Sequence, residues 1–377
     1  MSCITRFSAY SHCNDLGGRL WNPAIKWTKK YAVFVVLEDE KGIRGLGECW
    51  CFDSSPDALL AYLRTEVAPQ IIGLDLSSYE SVLADLTSRA TLTARHGILA
   101  SAMAGVDIAI WDLRSRDRQV PLWRYLDSGA IGDVQLYASG GLYGQDKDDA
   151  DLASEMINMV EAGFSIVKMK VGALALDDDL RRVFAVLDAL PEHIRLIVDG
   201  VYSYSFEQAL ALYQALPKER IDAFQAPVAA DDTESMSRLC RLGVPVMGIE
   251  AEYRQEIHKQ LVVCRAVKYL QSAPIAYNGL SGMIALCEQL SDTALQLSLE
   301  VSSTAVATLA ACHFAAAFEQ VAHVEYHYVH QVFFDQLPLS SSKQEFGRFE
   351  LPNTPGLGIV LLEGSVVEAF TIARTSL

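Results

Sequence analysis

The most constraining feature of this chain is a long alternation of short apolar strands with amphipathic helices. From about Val134 onward, helix-like stretches such as 151–162 and 177–190 separate eight strand-like runs. The runs are 135–139, 165–171, 194–199, 223–228, 245–250, 269–274, 294–300 and 323–326. Eight βα units at this spacing predict a (β/α)₈ barrel of the TIM type rather than a doubly wound sheet, which usually has fewer strands.

The part of the chain before the barrel has a different pattern. Two β-branched and aromatic runs, 31–37 and 43–50, flank a turn signal that ends at Gly42, which predicts a hairpin. Helical periodicity then covers 56–67, 78–86 and 98–116. A length of 377 residues fits a barrel plus a smaller partner. We predict an α+β capping domain over 1–127, completed by the turn-rich tail 346–377, and a barrel over 128–345.

Charge and apolar patterning exclude several classes of protein. The formal net charge is −16 and no basic stripe offsets it, which argues against a nucleic-acid partner. The apolar stretches end well short of the about 18 residues that a membrane helix needs. The eight cysteines are scattered, as expected of reduced thiols in the cytoplasm. A redox or metal pair at Cys49 and Cys51 is a weaker alternative.

Two lysines provide the first candidate chemistry. Lys168 and Lys170 lie two apart on a predicted strand, so their side chains share one face. If that face is the barrel interior, repulsion and burial should lower the pKa of one amine enough for it to accept a proton near neutral pH. Lys170, nearer the end of the strand, is the predicted base. The alternative is that both lysines extend into solvent.

Carboxylates close two other strands. Asp199 ends the third strand and Glu250 ends the fifth. Side chains at strand ends converge over the mouth of a barrel, and their oxygens suit a hard cation such as Mg²⁺. Taken singly, each is better explained as a solvated turn residue, but the pair at corresponding strand ends favours a site.

Histidines on the last strand offer an alternative metal site. His323, Glu325 and His327 alternate there, with His330 nearby, and could form a zinc cluster. Their spacing does not match zinc motifs on helices or knuckles, so packing and hydrogen bonding explain these histidines better.

Several motifs resemble one known family. They are the helix Ser101 to Asp112 with 121–126 after it, the Tyr137-Ala-Ser-Gly140 strand, the Gly163-Phe-Ser-Ile-Val-Lys-Met-Lys-Val-Gly172 strand, and the segments 42–48 and 355–358. Together they identify the chain as resembling the mandelate racemase and muconate lactonizing enzyme branch of the enolase superfamily, over nearly its whole length.

The resemblance implies a reaction. It implies abstraction of the proton α to a carboxylate, with Mg²⁺ stabilising the resulting enediolate, followed by elimination, racemisation or cycloisomerisation. By position, Lys170 would be the base, Lys168 its supporting neighbour, and Asp199 and Glu250 the first and third metal ligands.

This sequence departs from the family pattern at several positions. Gln225 stands where a glutamate normally provides the second ligand, so metal affinity should fall. Val201 replaces an asparagine, Ala273 replaces an aspartate or lysine, and Glu300 stands where many members place a histidine. Glu300 is therefore the predicted replacement acid, with Glu325 a second candidate.

The resemblance also assigns substrate selection to the lid. The corresponding stretches are 19–22 with Lys26, Trp27, Lys29 and Lys30, and the loop 50–53. We expect a metal-assisted dehydratase or racemase/epimerase of a small hydroxy or sugar acid, assembled as a homo-oligomer. The competing hypothesis is a noncatalytic or repurposed barrel that binds a carboxylate without metal.

Overall fold

A closed parallel barrel forms the larger part of the molecule. The computed structural model describes residues 2–51, 55–89, 97–250, 252, 254–330, 343–345, 347–359 and 367–373. Within them, eight parallel strands pair in sequence order, and the last pairs with the first to close the ring. These strands are β4 (Asp133–Ser139), β6 (Ile166–Lys170), β7 (Arg195–Asp199), β8 (Ile221–Gln225), β9 (Val246–Gly248), β10 (Tyr269–Ser272), β11 (Gln296–Leu299) and β12 (Val321–His327). The predicted barrel and its eight strands are confirmed.

Helices cover the outside of the barrel between successive strands. They are α6 (Asp149–Glu161), α7 (Leu176–Ala189), α8 (Phe206–Ala215), α9 (Thr233–Arg241), α10 (Gln255–Val263), α11 (Gly279–Leu290) and α12 (Ala305–Ala317). Side chains such as Met156, Val183 and Leu212 pack from these helices onto the strands in one apolar core. This arrangement places the ends of β6, β7, β8 and β11 at one mouth.

A smaller antiparallel sheet with its own helices covers that mouth. Its main strands are β1 (Ile4–Trp21), β2 (Lys26–Asp39), β3 (Arg44–Cys49) and β15 (Val367–Ala373), in the order β15-β1-β2-β3. The short β5 (Tyr143–Gly144) pairs with the far end of β1. The helices are α1 (Asp57–Tyr62), α2 (Ala68–Ile71), α3 (Tyr79–Arg89), α4 (Ile98–Asp117) and α5 (Leu122–Leu126). The predicted α+β cap, with a contribution from the tail, is confirmed.

The boundaries of the two domains remain predictions. Beyond the eighth strand, β13 (Lys343–Glu345) pairs with β14 (Arg348–Glu350), which runs antiparallel to β4. The chain therefore stays attached to the barrel for several residues before β15 joins the cap.

Strand β1 has no counterpart among the strands that the sequence predicted. Its 18 residues include Asn14, Asp15, Gly17 and Gly18, which are turn-forming residues. The two glycines adopt positive φ, and the pairing of β1 with β2 shifts register between Asp15 and Leu20. A bulge thus accommodates the turn signals without ending the strand.

Close packing joins the sheet of the cap to α4. Gly47 on β3 lies against the backbone of Gly105 on α4, with no space for a Cβ atom between them. None of the described helices has the length and apolar character needed to cross a membrane.

Candidate active site

A pocket of about 310 Å³ lies between the barrel mouth and the cap. The barrel contributes mainly charged and polar side chains, and the cap contributes Asn22, Ala24, Ile25, Trp27 and Trp50. The barrel residues are Lys168, Lys170, Val201, Tyr202, Gln225, Glu250, Glu300, Ser302, Glu325 and His327. Five of the six predicted site residues thus line one pocket. The sixth, Asp199, does not line it but forms an ion pair with Lys170, which does. A larger cavity, of about 440 Å³ beside Trp21 and Arg181, contains none of them.

Lys168 is a buried cation surrounded by acceptors. Its Nζ lies 2.6 Å from Oε1 of Glu325 and 3.5 Å from Oδ2 of Asp199, and it donates a hydrogen bond of 2.9 Å to Oε1 of Gln225. Burial alone would lower the pKa of Lys168, but Glu325, Tyr137 and Asp199 raise it well above the ordinary value. Lys168 is therefore not the lysine whose pKa is lowered, because the carboxylates of Glu325 and Asp199 favour its charged form, and the assignment of Lys170 as the base stays a prediction.

Lys170 lies beside Lys168 but closer to solvent. It is 7% exposed, and its Nζ donates to Oδ2 of Asp199 at 2.5 Å. The other carboxylate oxygen of Asp199 accepts from the backbone of Val201 at 3.0 Å. Val201 and Tyr202 both adopt positive φ, a strained conformation for a β-branched residue. This turn places both side chains at the pocket.

The three predicted metal ligands lie on adjacent strand ends. Asp199 pairs with Gln225 between β7 and β8, and Gln225 pairs with Met247 on β9, three residues before Glu250. Oε2 of Glu250 accepts a hydrogen bond of 2.6 Å from Tyr202. Burial raises the pKa of Glu250, and the negative charge of Asp199 raises it further.

These observations test whether a divalent cation fits. Two carboxylates that repel each other would be stabilised by a cation that both bind, and an amide oxygen can serve as a neutral third ligand. The fit is weakened because Oε1 of Gln225 already accepts from Lys168. Within the described residues, no three His, Cys, Asp or Glu side chains form a metal-binding group, and Gln225 adds an amide rather than a carboxylate to Asp199 and Glu250.

Glu300 and Glu325 differ in charge although they lie on neighbouring strands. Burial raises the pKa of Glu300 to about 8, with further contributions from the charges of Glu325 and Glu250. Burial would also raise the pKa of Glu325, but Lys168 and Lys170 hold it below its ordinary value. Near neutral pH the pocket thus contains a protonated carboxylic acid at Glu300 and a carboxylate at Glu325.

The three histidines at the end of the barrel contact different groups, although the rings of His327 and His330 lie 4.5 Å apart. His323 faces the barrel interior, where its Nδ1 lies 3.1 Å from the Ser298 hydroxyl. His327 and His330 stack on Trp27 of the cap, with ring centroids 5.4 and 5.1 Å away. Burial and nearby lysines lower the pKa of His327 and of His330 well below the ordinary value. Among the residues that the structure describes, no three His, Cys, Asp or Glu side chains are placed to hold a metal ion, so the geometry does not support the zinc alternative.

The remaining candidates from the sequence fall outside the pocket. Cys49 and Cys51 are buried, and burial raises the pKa of Cys49 well above its ordinary value, which disfavours a reactive thiolate. Lys26 and Lys29 are exposed, and Lys30 is buried. Phe52 and Asp53, at the end of the predicted lid loop, lie outside the described residues.

Sequence reasoning missed the role of Glu48. This β3 residue is fully buried, and its carboxylate accepts from the hydroxyls of Ser303 and Thr304 and from the backbone of Ala307 at 3.0 Å. It thereby fixes the segment that follows Glu300 and the first turn of α12. Glu48 belongs to a segment that carries the family resemblance, but nothing in that segment indicates its partners.

Comparisons with known proteins agree with this geometry. Residues 151–365 match the family described as enolase C-terminal domain-like, and residues 25–126 match the mandelate racemase / muconate lactonizing enzyme N-terminal domain. An arabinonate dehydratase of Saccharolobus solfataricus is 28% identical over 90% of this chain and 92% of its own length. A D-galactarolactone cycloisomerase of Agrobacterium fabrum is 25% identical over 92% of this chain and 93% of its own.

Solved structures share the fold. A racemase from Streptomyces coelicolor A3(2) with bound magnesium superposes with a TM-score of 0.86 at 22% identity, covering 95% of this chain and 97% of its own. An L-talarate dehydratase from Polaromonas sp. JS666, complexed with Mg and L-glucarate, gives 0.86 at 22% identity, covering 99% and 100%.

Proposed function

The chain belongs to the mandelate racemase and muconate lactonizing enzyme family of enolase-like proteins, and on that premise we propose that it abstracts the α-proton of a small hydroxy or sugar carboxylate. The observation that carries the proposal is the convergence of Lys170, Glu300 and the Asp199–Gln225–Glu250 set around one pocket. Dehydratases, cycloisomerases and racemases among the relatives support this reaction class.

Lys170 is the proposed base. Its amine lies at the pocket, where the lone pair of a neutral amine can accept the α-proton of a bound carboxylate. Lys168 stays charged, because three anionic or polar oxygens surround it. Its fixed positive charge stabilises negative charge that develops on a substrate carboxylate nearby.

Asp199, Gln225 and Glu250 are the residues that would hold Mg²⁺, the metal bound in the two structural relatives described above. When bound, the ion supplies positive charge that offsets the charge developing on the substrate carboxylate. Gln225 contributes no negative charge, so we expect weaker binding than an all-carboxylate site would give.

Glu300 is the proposed acid. It carries a proton near neutral pH because its pKa is raised to about 8. It can deliver that proton to a leaving hydroxyl, which gives elimination, or to carbon, which gives racemisation or epimerisation. The first relative described above is a dehydratase, and elimination is the outcome that we favour.

Deuterium exchange tests the proposal directly. The protein is incubated in D₂O and Mg²⁺ with acid sugars, hydroxy acids, amino acids and dipeptides, and loss of the α-proton signal is followed by NMR. Exchange reports the shared first step whatever the product. A panel with no exchange at any pH would contradict the proposal.

One observation favours a second candidate, a barrel that binds a carboxylate without metal. The Lys168 ammonium already neutralises part of the site and occupies the amide oxygen of Gln225. Elemental analysis of the purified protein, with Mg²⁺-dependent thermal stabilisation, distinguishes the two. Assembly as a homo-oligomer and a cytoplasmic location remain predictions, to be checked by sedimentation and by fractionation.

A further inference from the structure

Each of the three predicted metal ligands accepts a hydrogen bond from within the protein. Asp199 and Gln225 accept from the two lysines of β6. Glu250 accepts from an uncharged donor, the hydroxyl of Tyr202, which lies 2.6 Å from its Oε2. A cation that binds this oxygen therefore has to replace the tyrosine hydroxyl.

A fixed turn directs Tyr202 towards Glu250. Tyr202 follows β7 and Glu250 follows β9, so their hydrogen bond passes the end of β8, which lies between those strands. The backbone of Tyr202 donates to the carbonyl of Ala226 at 2.7 Å, and the backbone of Gly200 donates to that of Gln225 at 2.9 Å. The turn is thus tied to β8, and the phenol changes position by rotation of its side chain rather than by movement of the backbone.

Tyr202 can leave its acceptor more readily than Lys168 can. Lys168 is 1% exposed, and its ion pair with Glu325 measures 2.6 Å, so moving it would leave a buried charge without its partner. Tyr202 is only partly buried and lines the pocket of about 310 Å³. Its uncharged ring can turn into that space without separating an ion pair.

The chemistry of Mg²⁺ makes this release necessary. Mg²⁺ demands near-octahedral oxygen ligands and gives up its own water reluctantly, so an oxygen that already accepts from the protein is a poor ligand. A divalent cation also offsets the repulsion between Asp199 and Glu250, which a neutral hydroxyl cannot do. The cation and the phenol therefore compete for Glu250, and the concentration of the ion decides between them.

We propose that Tyr202 is a latch on the metal site. Its hydroxyl holds Oε2 of Glu250 until a divalent cation displaces it, and the displaced phenol turns into the pocket. The latch weakens the affinity for Mg²⁺ independently of the amide at Gln225. This inference rests on the proposed function for its assignment of the metal ligands.

Calorimetric titration of the whole protein with MgCl₂ tests the latch. Tyr202→Phe removes the hydroxyl and keeps the ring, and should bind Mg²⁺ about tenfold more tightly, a difference of about 1.4 kcal/mol. Tyr213→Phe is the matched control, because its hydroxyl donates to the backbone of Gly243 and does not line the pocket. Its affinity should equal that of the wild type.

Three results of this titration would overturn the latch. They are unchanged or weaker binding in Tyr202→Phe, equal tightening in the two variants, and no binding by either the wild type or Tyr202→Phe. Burial raises the pKa of Glu250 and the hydrogen bond from Tyr202 lowers it. The titration is therefore repeated at about pH 9, well above the ordinary pKa of a glutamate, so that protonation of Glu250 is not mistaken for a loss of affinity.

Near-ultraviolet difference spectra follow the phenol itself. Release of the Tyr202 hydroxyl from a carboxylate should give a tyrosine difference band when MgCl₂ is added to the wild type or to Tyr213→Phe, and none in Tyr202→Phe. A band that persists in Tyr202→Phe would assign it to another tyrosine and contradict the latch. Binding of Mg²⁺ by the wild type without a band would contradict it too, even if Tyr202→Phe fails to fold.

Deuterium exchange separates this inference from the proposed function. Exchange by the wild type, together with equal Mg²⁺ affinities in the two variants, supports proton abstraction and overturns the latch. Tighter Mg²⁺ binding in Tyr202→Phe without exchange of any acid supports the latch and counts against proton abstraction.

Discussion

The barrel mouth buries carboxylates in two different ways. At the junction with the cap, Glu48 accepts hydrogen bonds from two hydroxyls and a backbone amide. In the pocket, Oε2 of Glu300 has no hydrogen-bond partner among the described residues. Burial raises the pKa of both carboxyl groups. The difference indicates that Glu48 holds two elements together, whereas Glu300 keeps its hydrogen-bonding capacity for a ligand.

Loss of the pocket's base should have the largest effect. Lys170→Met is expected to reduce α-deuterium exchange by about 10³-fold, within the range for loss of a general base, while leaving no large cavity. NMR exchange rates and thermal unfolding check both parts. Lys147→Met is the matched control, since Lys147 pairs with Glu155 beside the other cavity. A full exchange rate in Lys170→Met would show that Lys170 is not the base.

The junction should show the opposite pattern, with a loss of stability. Glu48→Ala leaves buried donors of Ser303, Thr304 and Ala307 without their acceptor and opens a cavity, so we expect the free energy of unfolding to fall by about 3 kcal/mol. Urea unfolding measures it. Glu38→Ala, which removes a partly exposed partner of Arg44, should change stability by less than about 1 kcal/mol. If Glu48→Ala lowers the free energy of unfolding no more than Glu38→Ala does, Glu48 does not hold the junction together.

Glu300→Gln sharpens the comparison through its pH dependence. Product formation should fall by about 10²-fold because the proton donor is lost, while exchange through Lys170 persists. In the wild type, product formation should decline as the pH rises through about 8, where Glu300 loses its proton. An unchanged pH profile in the variant would exclude Glu300 as the acid.

The same raised pKa has a consequence for stability. A carboxyl whose pKa is higher in the folded state stabilises the fold below its unfolded pKa, and this contribution is lost as the pH rises through the folded value, about 8 here. Wild-type stability should therefore decline relative to Glu300→Gln between about pH 4.5 and pH 8.

The smallest expected effect concerns the metal. Gln225→Glu restores a third anionic oxygen and should strengthen Mg²⁺ binding by about tenfold, measured by calorimetry on both proteins. Gln208→Glu, at the helix cap of α8, adds the same charge away from the pocket and serves as the control. Unchanged affinity in Gln225→Glu would mean that residue 225 does not contribute to a metal site.

The sequence predicted the parts of the fold that depend on periodicity. Eight apolar runs identified the barrel strands, and the spacing of Lys168 and Lys170 placed both side chains on one face. Strand β1 was missed because its turn residues are absorbed by a bulge, which local propensity cannot reveal.

Distances between strand ends were not predictable either. The charge on Lys168 depends on Glu325, which is far away in sequence and adjacent only in the closed barrel. Likewise, Trp27 forms part of the pocket wall because it stacks on His327, at the end of the eighth strand, and on His330, just after it. Such contacts depend on how the cap docks on the barrel, and no local pattern encodes that docking.

The pairing of β15 with β1 has a consequence for how this architecture can change by recombination. The sheet of the cap is made from two separated parts of the sequence, so a single crossover cannot exchange one cap for another. A graft of the first part alone would place a foreign β1 beside the β15 of this chain, and a mismatch between the two strands opens a sheet edge, which invites association with other chains. Two simultaneous junctions are needed, and substitution within the β1–β2 hairpin is therefore the more accessible route to a new substrate.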